Sequence, residues 1–494
     1  MIGENDRLNA VDVVGKVEHR GVDFIPPNER HSSPKNIFGI FIGANLCVAL
    51  FVVGWLPVSF GLGWWAALSS IIVGCALGST ILVPVALLGP NTGTNGPVSS
   101  GAFFGVVGRV VGSTIALLVN LGFYALSVWT GGEMIVLGLH KLVGTPSDNV
   151  ILGASYAVVA VISSIVAIYG HASMVLVERL MIPIAGILMI IGIFVYAPHF
   201  NANGGGGHYL LGGFWPTWLL AVTISTVADY LYANSICDWT RYISFERHSK
   251  GALLTATWVG SFVGLSLPLA FGAYVGVAMG SSTQDFVQGM VLLAPIMYLI
   301  PLILMGSIGS LGQCTVLLYG SGLDFSSLFP ILRRPVATFL LSVVALVFVF
   351  LGTMVWNVEN SLTAFLQLLG VATASWISVV VLGHFVHGGV YDTEALQVFN
   401  RREKGGAYWH WNGWNWRGTV SFAIGTIAGL LFLNCALFVG PFSNLAGGVD
   451  ISWLVALLLT AVLYWAALSV SPDQLRGVNW AAKPVSGAKL GHDV

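Results

Sequence analysis

Charge is what this chain has least of. Only 8% of its 494 residues are Asp, Glu, Lys or Arg, against about 25% in a soluble domain. Hydrophobic residues make up 56%, and the mean hydropathy is +0.84. So little charge cannot coat a water-facing surface, which excludes a large soluble core and points to a polytopic protein of the lipid bilayer. The net charge of −1 gives no basic footprint, so nucleic acid is not expected as a partner. The five cysteines (Cys47, Cys75, Cys237, Cys314 and Cys435) form no C-x-x-C pair, and neither a disulfide framework nor a zinc site is signalled. Also missing are a P-loop, HExxH, G-x-S-x-G and any His/Cys ligand set within the apolar stretches, so the chain is not expected to be an enzyme or to need a cofactor. An Arg ladder and a TVGYG-like filter are absent as well, which excludes a voltage sensor and a potassium filter. With no cleavable-leader pattern at the start, the first apolar stretch is expected to serve as its own insertion signal.

What the chain does have is twelve apolar stretches of spanning length, at about 37–57, 63–88, 113–139, 149–169, 176–197, 216–237, 252–279, 293–321, 336–356, 361–386, 418–440 and 449–470. They predict an all-α polytopic membrane protein with twelve transmembrane helices. If the odd segments run outward, 19 of the 20 Lys and Arg fall on the cytosolic side, and only Lys141 lies outside. The positive-inside bias therefore puts both termini in the cytosol of a multi-pass plasma (inner) membrane protein. The expected divisions are a tail at 1–35, a first five-helix unit at 36–197, a second at 216–386, a cytosolic loop at 387–417, helices eleven and twelve at 418–470, and a tail at 471–494.

The stretch from Leu220 to Tyr242 stands apart from the other eleven. It carries Thr223, Ser225, Thr226, Asp229, Tyr230, Tyr232, Asn234 and Ser235 where lipid would want hydrocarbon. A carboxylate near mid-bilayer costs about 3 kcal/mol on insertion scales unless it faces protein or water. Ser225, Asp229 and Tyr232 fall at i, i+4 and i+7, so one helical face is wet. The competing reading is a structural carboxylate satisfied by hydroxyls. Segment one shows a similar interruption at Gly43-Ala44-Asn45. Segments one and six each open a run of five, and the odd count inverts the second run against the first. Polar or broken helices at matching places in two inverted halves point to a carrier's central site.

Two further helices carry polar faces. In segment three, Phe123, Ser127 and Thr130 share one face, a ring beside a hydroxyl that suits a flat heterocycle. Ordinary packing, helped by Gly131-Gly132, is the equal alternative. Glu133 lies nearer the outer leaflet, as a second titrating group or a paired structural acid. In segment eight, Gly306, Ser310 and Gln313 line up, and the Gln313 amide serves as packing glue or as a ligand contact. GPNTGTNGPVSSGAFFG (Gly89–Gly105) reads as a Gly/Asn/Pro loop capping the bundle. DWTRY (Asp238–Tyr242) lets Asp238 pair with Arg241 beside the headgroups.

Four stretches together resemble the nucleobase–cation symporter family, in its purine–cytosine permease and hydantoin–allantoin–uracil transporter branches. GLGWWAAL (Gly61–Leu68) is similar to its G-x-x-W-W-x-A, and GPNTGTNGPVSSGAFFG to its G-x-x-x-G…S-x-x-x-F-G loop without the usual Arg. DWTRY matches D-[FY]-[TS]-R-[YF], and AYWHWNGWNWRG (Ala407–Gly418) matches Y-W-x-x-x-G-x-N-W. The resemblance implies a 5+5 inverted-repeat core of the sodium-coupled amino-acid transporter type, plus two C-terminal helices. It also implies residue roles. The family's segment-three Trp and amide fall on Phe123 and Ser127, and its second stacking aromatic falls on Asp229 or, one residue on, Tyr230. Carbonyls of Gly43 and Leu46 are implied for a cation, with Asn45 and Cys47 facing substrate. The segment-eight hydroxyl positions fall on Leu311 and Gly312, with Ser310 one residue off. That departure, with Asp229, tilts the coupling ion from Na+ toward H+.

The sequence reading is therefore an importer of a cytosine- or purine-like base, driven by H+ or Na+. Phe123 and Tyr230 sandwich the ring, Ser127, Gln313 and Asn45 bond its edge, and Asp229 bonds a ring N–H or carries the proton. The rivals are a permease for another small solute, such as a vitamin precursor or amino acid, and a receptor that binds without moving its ligand.

Overall fold

The computed structural model describes residues 21–280, 285–332, 334–354, 358–446 and 448–471. Arg7, Lys16, Arg20, Arg333, Arg476, Lys483 and Lys489 of the charge count lie outside the described residues. Every regular element among those described is helical, and only isolated bridges pair extended backbone. In chain order the helices are α1 (Pro34–Asn45), α2 (Val48–Ser59), α3 (Trp64–Leu82), α4 (Leu88–Thr92), α5 (Gly96–Phe104), α6 (Val110–Val143), α7 (Asn149–Tyr169), α8 (His171–Tyr196) and α9 (Phe214–Tyr230). They continue with α10 (Ile236–Thr240), α11 (Lys250–Met279), α12 (Phe286–Leu293), α13 (Ile296–Leu328), α14 (Arg334–Met354), α15 (Val358–Val386), α16 (Thr393–Leu396), α17 (Trp416–Phe432) and α18 (Ser452–Val470). Among the described residues, eight helices are long and apolar enough to cross a membrane, or nine if the bent pair α1–α2 counts as one.

Two helices break where the sequence places polar residues. α1 ends at Asn45, Leu46 leaves helical geometry (φ −77°, ψ 61°), and α2 departs at 69° to α1. α9 ends at Tyr230 in a 3-10 turn over Leu231–Asn234 before the short α10. The stretch 89–105, read as a loop, is instead largely helical: α4 closes on Gly93 in the left-handed region (φ 67°), and α5 starts from an Asn95 cap whose side chain accepts from Val98 N. Glycine at 93 and a capping Asn before Pro97 are start-and-stop signals of helices, not of an open loop.

α6 and α13 run along one another for most of their length, α9 packs on α3, and α11 packs on α1, α2 and α3. The α3–α9 contact depends on missing side chains. A Cβ at Gly74 would come within 2.5 Å of Ser225 Cβ, and one at Gly78 within 2.6 Å of Asp229 Cβ. Glycines four apart thus make a groove into which the polar face of α9 sinks.

Residues 21–33 run across one end of the bundle. Arg241 donates to Gly21 O (2.6 Å), Thr94 to Val22 O (2.9 Å), and Ile25 N to Gly93 O (2.9 Å). Arg30 donates to Pro90 O (2.5 Å), and burial lowers its pKa to about 10 while Glu246 pulls it upward. Asp238 and Arg241 are fully buried here, not set among headgroups as the sequence reading has them. His384 and His387 are buried too: His384 meets the Tyr391 hydroxyl at 2.6 Å.

Candidate functional site

The break between α1 and α2 lets three helices meet at one amide. Cys47, the first residue past the break, points its thiol at Gln313 Oε1 on α13 (2.9 Å), and Ser127 on α6 donates to the same oxygen. Ser127 has a single proton and a second acceptor within reach, Phe123 O at 2.7 Å. With its carbonyl oxygen taken, Gln313 is left with Nε2 buried and unpartnered. An orphan buried donor of this kind normally costs about 1–3 kcal/mol and calls for a partner. One turn along α6, Phe123 is buried edge-on to Phe365 of α15 (centroids 5.9 Å apart).

The same break positions the remaining segment-one residues. Asn45 donates to Phe41 O (2.8 Å) and accepts from the Tyr232 hydroxyl (2.6 Å), which links the α1 break to the α9 break. Gly43 O accepts from Leu46 N (3.3 Å), while Leu46 O abuts α13, 2.5 Å from where a Gly309 Cβ would stand. Ser310, one residue on, turns its hydroxyl to Gly131 of α6 and has no hydrogen-bond partner. Leu46 and Ser310 thus press on different neighbours. Glu133 lies half-buried on α6, next to Gly132, which packs against Tyr156.

Two sequence-predicted residues sit elsewhere. Asp229 faces α3 and α11 and accepts from Ser79 (2.5 Å) and Ser261, with no exposed surface. It turns neither to lipid nor toward Phe123, and hydroxyls of the two packed helices satisfy it. Tyr230 turns to the opposite side of α9, donating to Gly370 O of α15 (3.0 Å), its ring 6.1 Å from Trp453. The ring across from Phe123 is therefore Phe365 and not Tyr230. The register of a helix fixes this: once Ser225 and Asp229 fill the glycine groove of α3, Tyr230, about 100° further round, must look away. Reading residues alone misses Ser79 and Ser261, since isolated serines in apolar helices give no signal. It also misses Asn120 and Asp324, where an acid in an apolar helix gives the same signal as Asp229.

A family model described as permeases for cytosine/purines, uracil, thiamine and allantoin matches residues 24–456. The chain belongs to this family. Over 92% of the chain and 96% of the relative it is 24% identical to a putative purine-cytosine permease, YxlA, of Bacillus subtilis. A purine-uracil permease of Arabidopsis thaliana is 26% identical over 61% of the chain and 50% of that protein. Among solved structures, the nucleobase-cation-symport-1 transporter Mhp1, closed with bromovinylhydantoin bound, superposes with a TM-score of 0.73 at 16% identity, covering 91% of this chain and 95% of that one. A sodium-coupled sialic acid symporter superposes at 0.55 and 11% identity, over 90% and 91% of the two chains. The fold is thus that of these symporters, and the protein is a multi-pass membrane transporter of the nucleobase–cation symporter family.

Proposed function

We propose that the chain is a secondary carrier that imports a neutral nucleobase or related flat heterocycle by alternating access, coupled to H+ or Na+. The observation that carries this reading is the buried Gln313 amide at the α1 break, whose Nε2 lacks a partner while its oxygen is held by Ser127, one turn along α6 from Phe123. A ring carbonyl or imine nitrogen supplies that partner, while the aromatic face packs the heterocycle. Asn45, Cys47 and Ser127 line the same junction. In this reading the chain has twelve spans with both termini in the cytosol, the break lies near mid-bilayer between two inverted five-helix units, and α1–α3, α9 and α11 rock against the rest. Leu46 O, Gly43 O and Ser310 remain the candidates for Na+, with Glu133 nearer the outside.

Asp229 is the candidate coupling group, because it is a buried acid whose two side-chain donors are hydroxyls, which can turn from donor to acceptor when the carboxylate takes up a proton. Uptake of labelled cytosine, hypoxanthine and uracil by cells expressing Asp229→Asn tests this. Accumulation against a gradient is expected to be lost while counterflow persists. Unchanged proton-driven accumulation removes Asp229 from coupling, and absence of counterflow by the wild type in proteoliposomes favours a receptor.

A second reading has one observation in its favour. A vitamin B6 transporter of Saccharomyces cerevisiae is 27% identical over 37% of the chain, and its named ligand is also a flat heterocycle. A thermal-shift panel with bases and pyridine vitamins, with and without sodium, separates the two.

A further inference from the structure

The turn that joins α17 to α18 lies at the far end of the bundle from residues 21–33. α17 starts beside the near end, where Asn415 N donates to Phe104 O (2.7 Å) and Asn400 donates to Val22 O (3.3 Å). Its 17 residues then carry the chain about 25 Å away. Before α18 begins at Ser452, the turn sends an acid inward. Asp450 is buried, as are Gln367 of α15 and Thr223 of α9. Gln367 Nε2 donates both to Asp450 Oδ2 (2.6 Å) and to Asn434 O near the start of the same turn (3.0 Å). Asp450 Oδ1 accepts from Ser452 N (3.0 Å), and Asn434 Nδ2 closes the turn on Gly448 O (2.9 Å). One amide nitrogen with two hydrogens thus pins both ends of the turn to α15, and its bond to the carboxylate is charge-assisted.

The turn holds α9 more loosely. Thr223 donates to Asp450 O at 3.4 Å and accepts from Trp453 Nε1 at 3.3 Å, both longer than the usual range. α9 and α15 also meet directly: a Cβ at Gly370 would stand 2.8 Å from Val227 Cγ1. α15 carries Phe365 toward Phe123, and Gln367, two residues on, is turned about 200° from it. That helix therefore has the candidate site on one side and the turn on the other. In the rocking motion proposed above, α9 moves and α15 does not. The short bonds of the turn stay within the fixed part, and the long ones cross to the moving part.

We propose that the α17–α18 turn is a clasp on the transport cycle. Asp450 is a positioning residue that anchors the turn to α15, and Thr223 is the point at which the turn holds α9 closed. Opening of the bundle at this end parts Thr223 from Asp450 O and Trp453, while the Gln367–Asp450 bond persists. The inference rests on the alternating-access reading and gives α17 and α18 a part in it.

The reporter is Cys47, which has no exposed surface, in the full chain carrying Cys75→Ala, Cys237→Ala, Cys314→Ala and Cys435→Ala. A membrane-impermeant maleimide is applied, without substrate, to right-side-out and to inside-out vesicles. Thr223→Val keeps the shape of the side chain and removes both long bonds, and Gln367→Leu frees the turn from α15. Each is expected to raise the labelling rate at least about threefold, from the outside only. Labelling at the parent rate in either variant, or a rise not confined to the outside, overturns the proposal. If that background does not fold, hydrogen–deuterium exchange of Thr223→Val in the otherwise unchanged chain decides. Faster exchange in peptides of 214–226, with those of α13 unchanged, supports the clasp, and any other pattern sinks it. Counterflow by the wild type is measured alongside. Its absence beside one-sided labelling ends the transport reading and leaves the contact standing, whereas its presence beside unchanged labelling ends the clasp alone.

Discussion

Asp229 and Gln313 are both polar, both buried, and both lie beside a broken helix, yet the fold treats them differently. Asp229 is an acid whose oxygens each receive a hydroxyl from a neighbouring helix, Ser79 from α3 and Ser261 from α11. Gln313 is neutral, and its amide is satisfied on one side and left open on the other. A group closed by its own protein holds helices together, whereas a group left half-open is waiting for something to arrive. The distinction moves the binding site away from the most conspicuous residue in the sequence and onto a less conspicuous one.

The comparison breaks most visibly at the glycine groove. Gly78→Leu puts a side chain where Asp229 Cβ and Thr226 O stand within 2.6 Å. A clash with backbone costs about 3 kcal/mol or more, so loss of monodisperse protein in size-exclusion chromatography is expected. A Gly78→Leu protein that elutes like wild type would mean α3 and α9 do not meet as described. A gentler break is the pair Ser79→Ala and Ser261→Ala, which strips Asp229 of both donors. Thermal unfolding should fall by an amount corresponding to about 2–3 kcal/mol, with ligand affinity kept. Tyr230→Phe sharpens the contrast from the other side. It removes one hydrogen bond to Gly370 O, worth about 1 kcal/mol of stability, and should leave ligand affinity where it was. A clear affinity loss in Tyr230→Phe would return that ring to the binding site.

Much of the architecture is legible in the sequence because bilayer physics is coarse. Long apolar runs and a polar run such as 223–235 survive errors of several residues. The α1 break at Asn45-Leu46-Cys47 and the end of α9 at Tyr230 lie where Gly43-Ala44-Asn45 and the segment-six polar run mark them. Side-chain direction is less forgiving, since one residue of register turns a side chain by about 100°. Asp229 and Tyr230, adjacent in sequence, consequently point at different helices, and no pattern in α9 alone says which faces Phe123. Asp324 escapes the sequence pattern for a different reason. The apolar content of segment eight ends at 321, while α13 continues to Leu328 and carries the acid into the bundle. The stretch 89–105 reads as a loop because glycine, asparagine and proline serve both turns and helix ends, whereas in the fold these residues are buried in α4 and α5.

The account depends most on the open side of Gln313. Equilibrium binding of the base or vitamin that best stabilises the wild type, measured on Gln313→Leu, tests it directly. The expected result is at least about a tenfold loss of affinity, or about 1.4 kcal/mol, with Tyr230→Phe unchanged in the same assay. Equal affinity in Gln313→Leu and wild type would contradict the account.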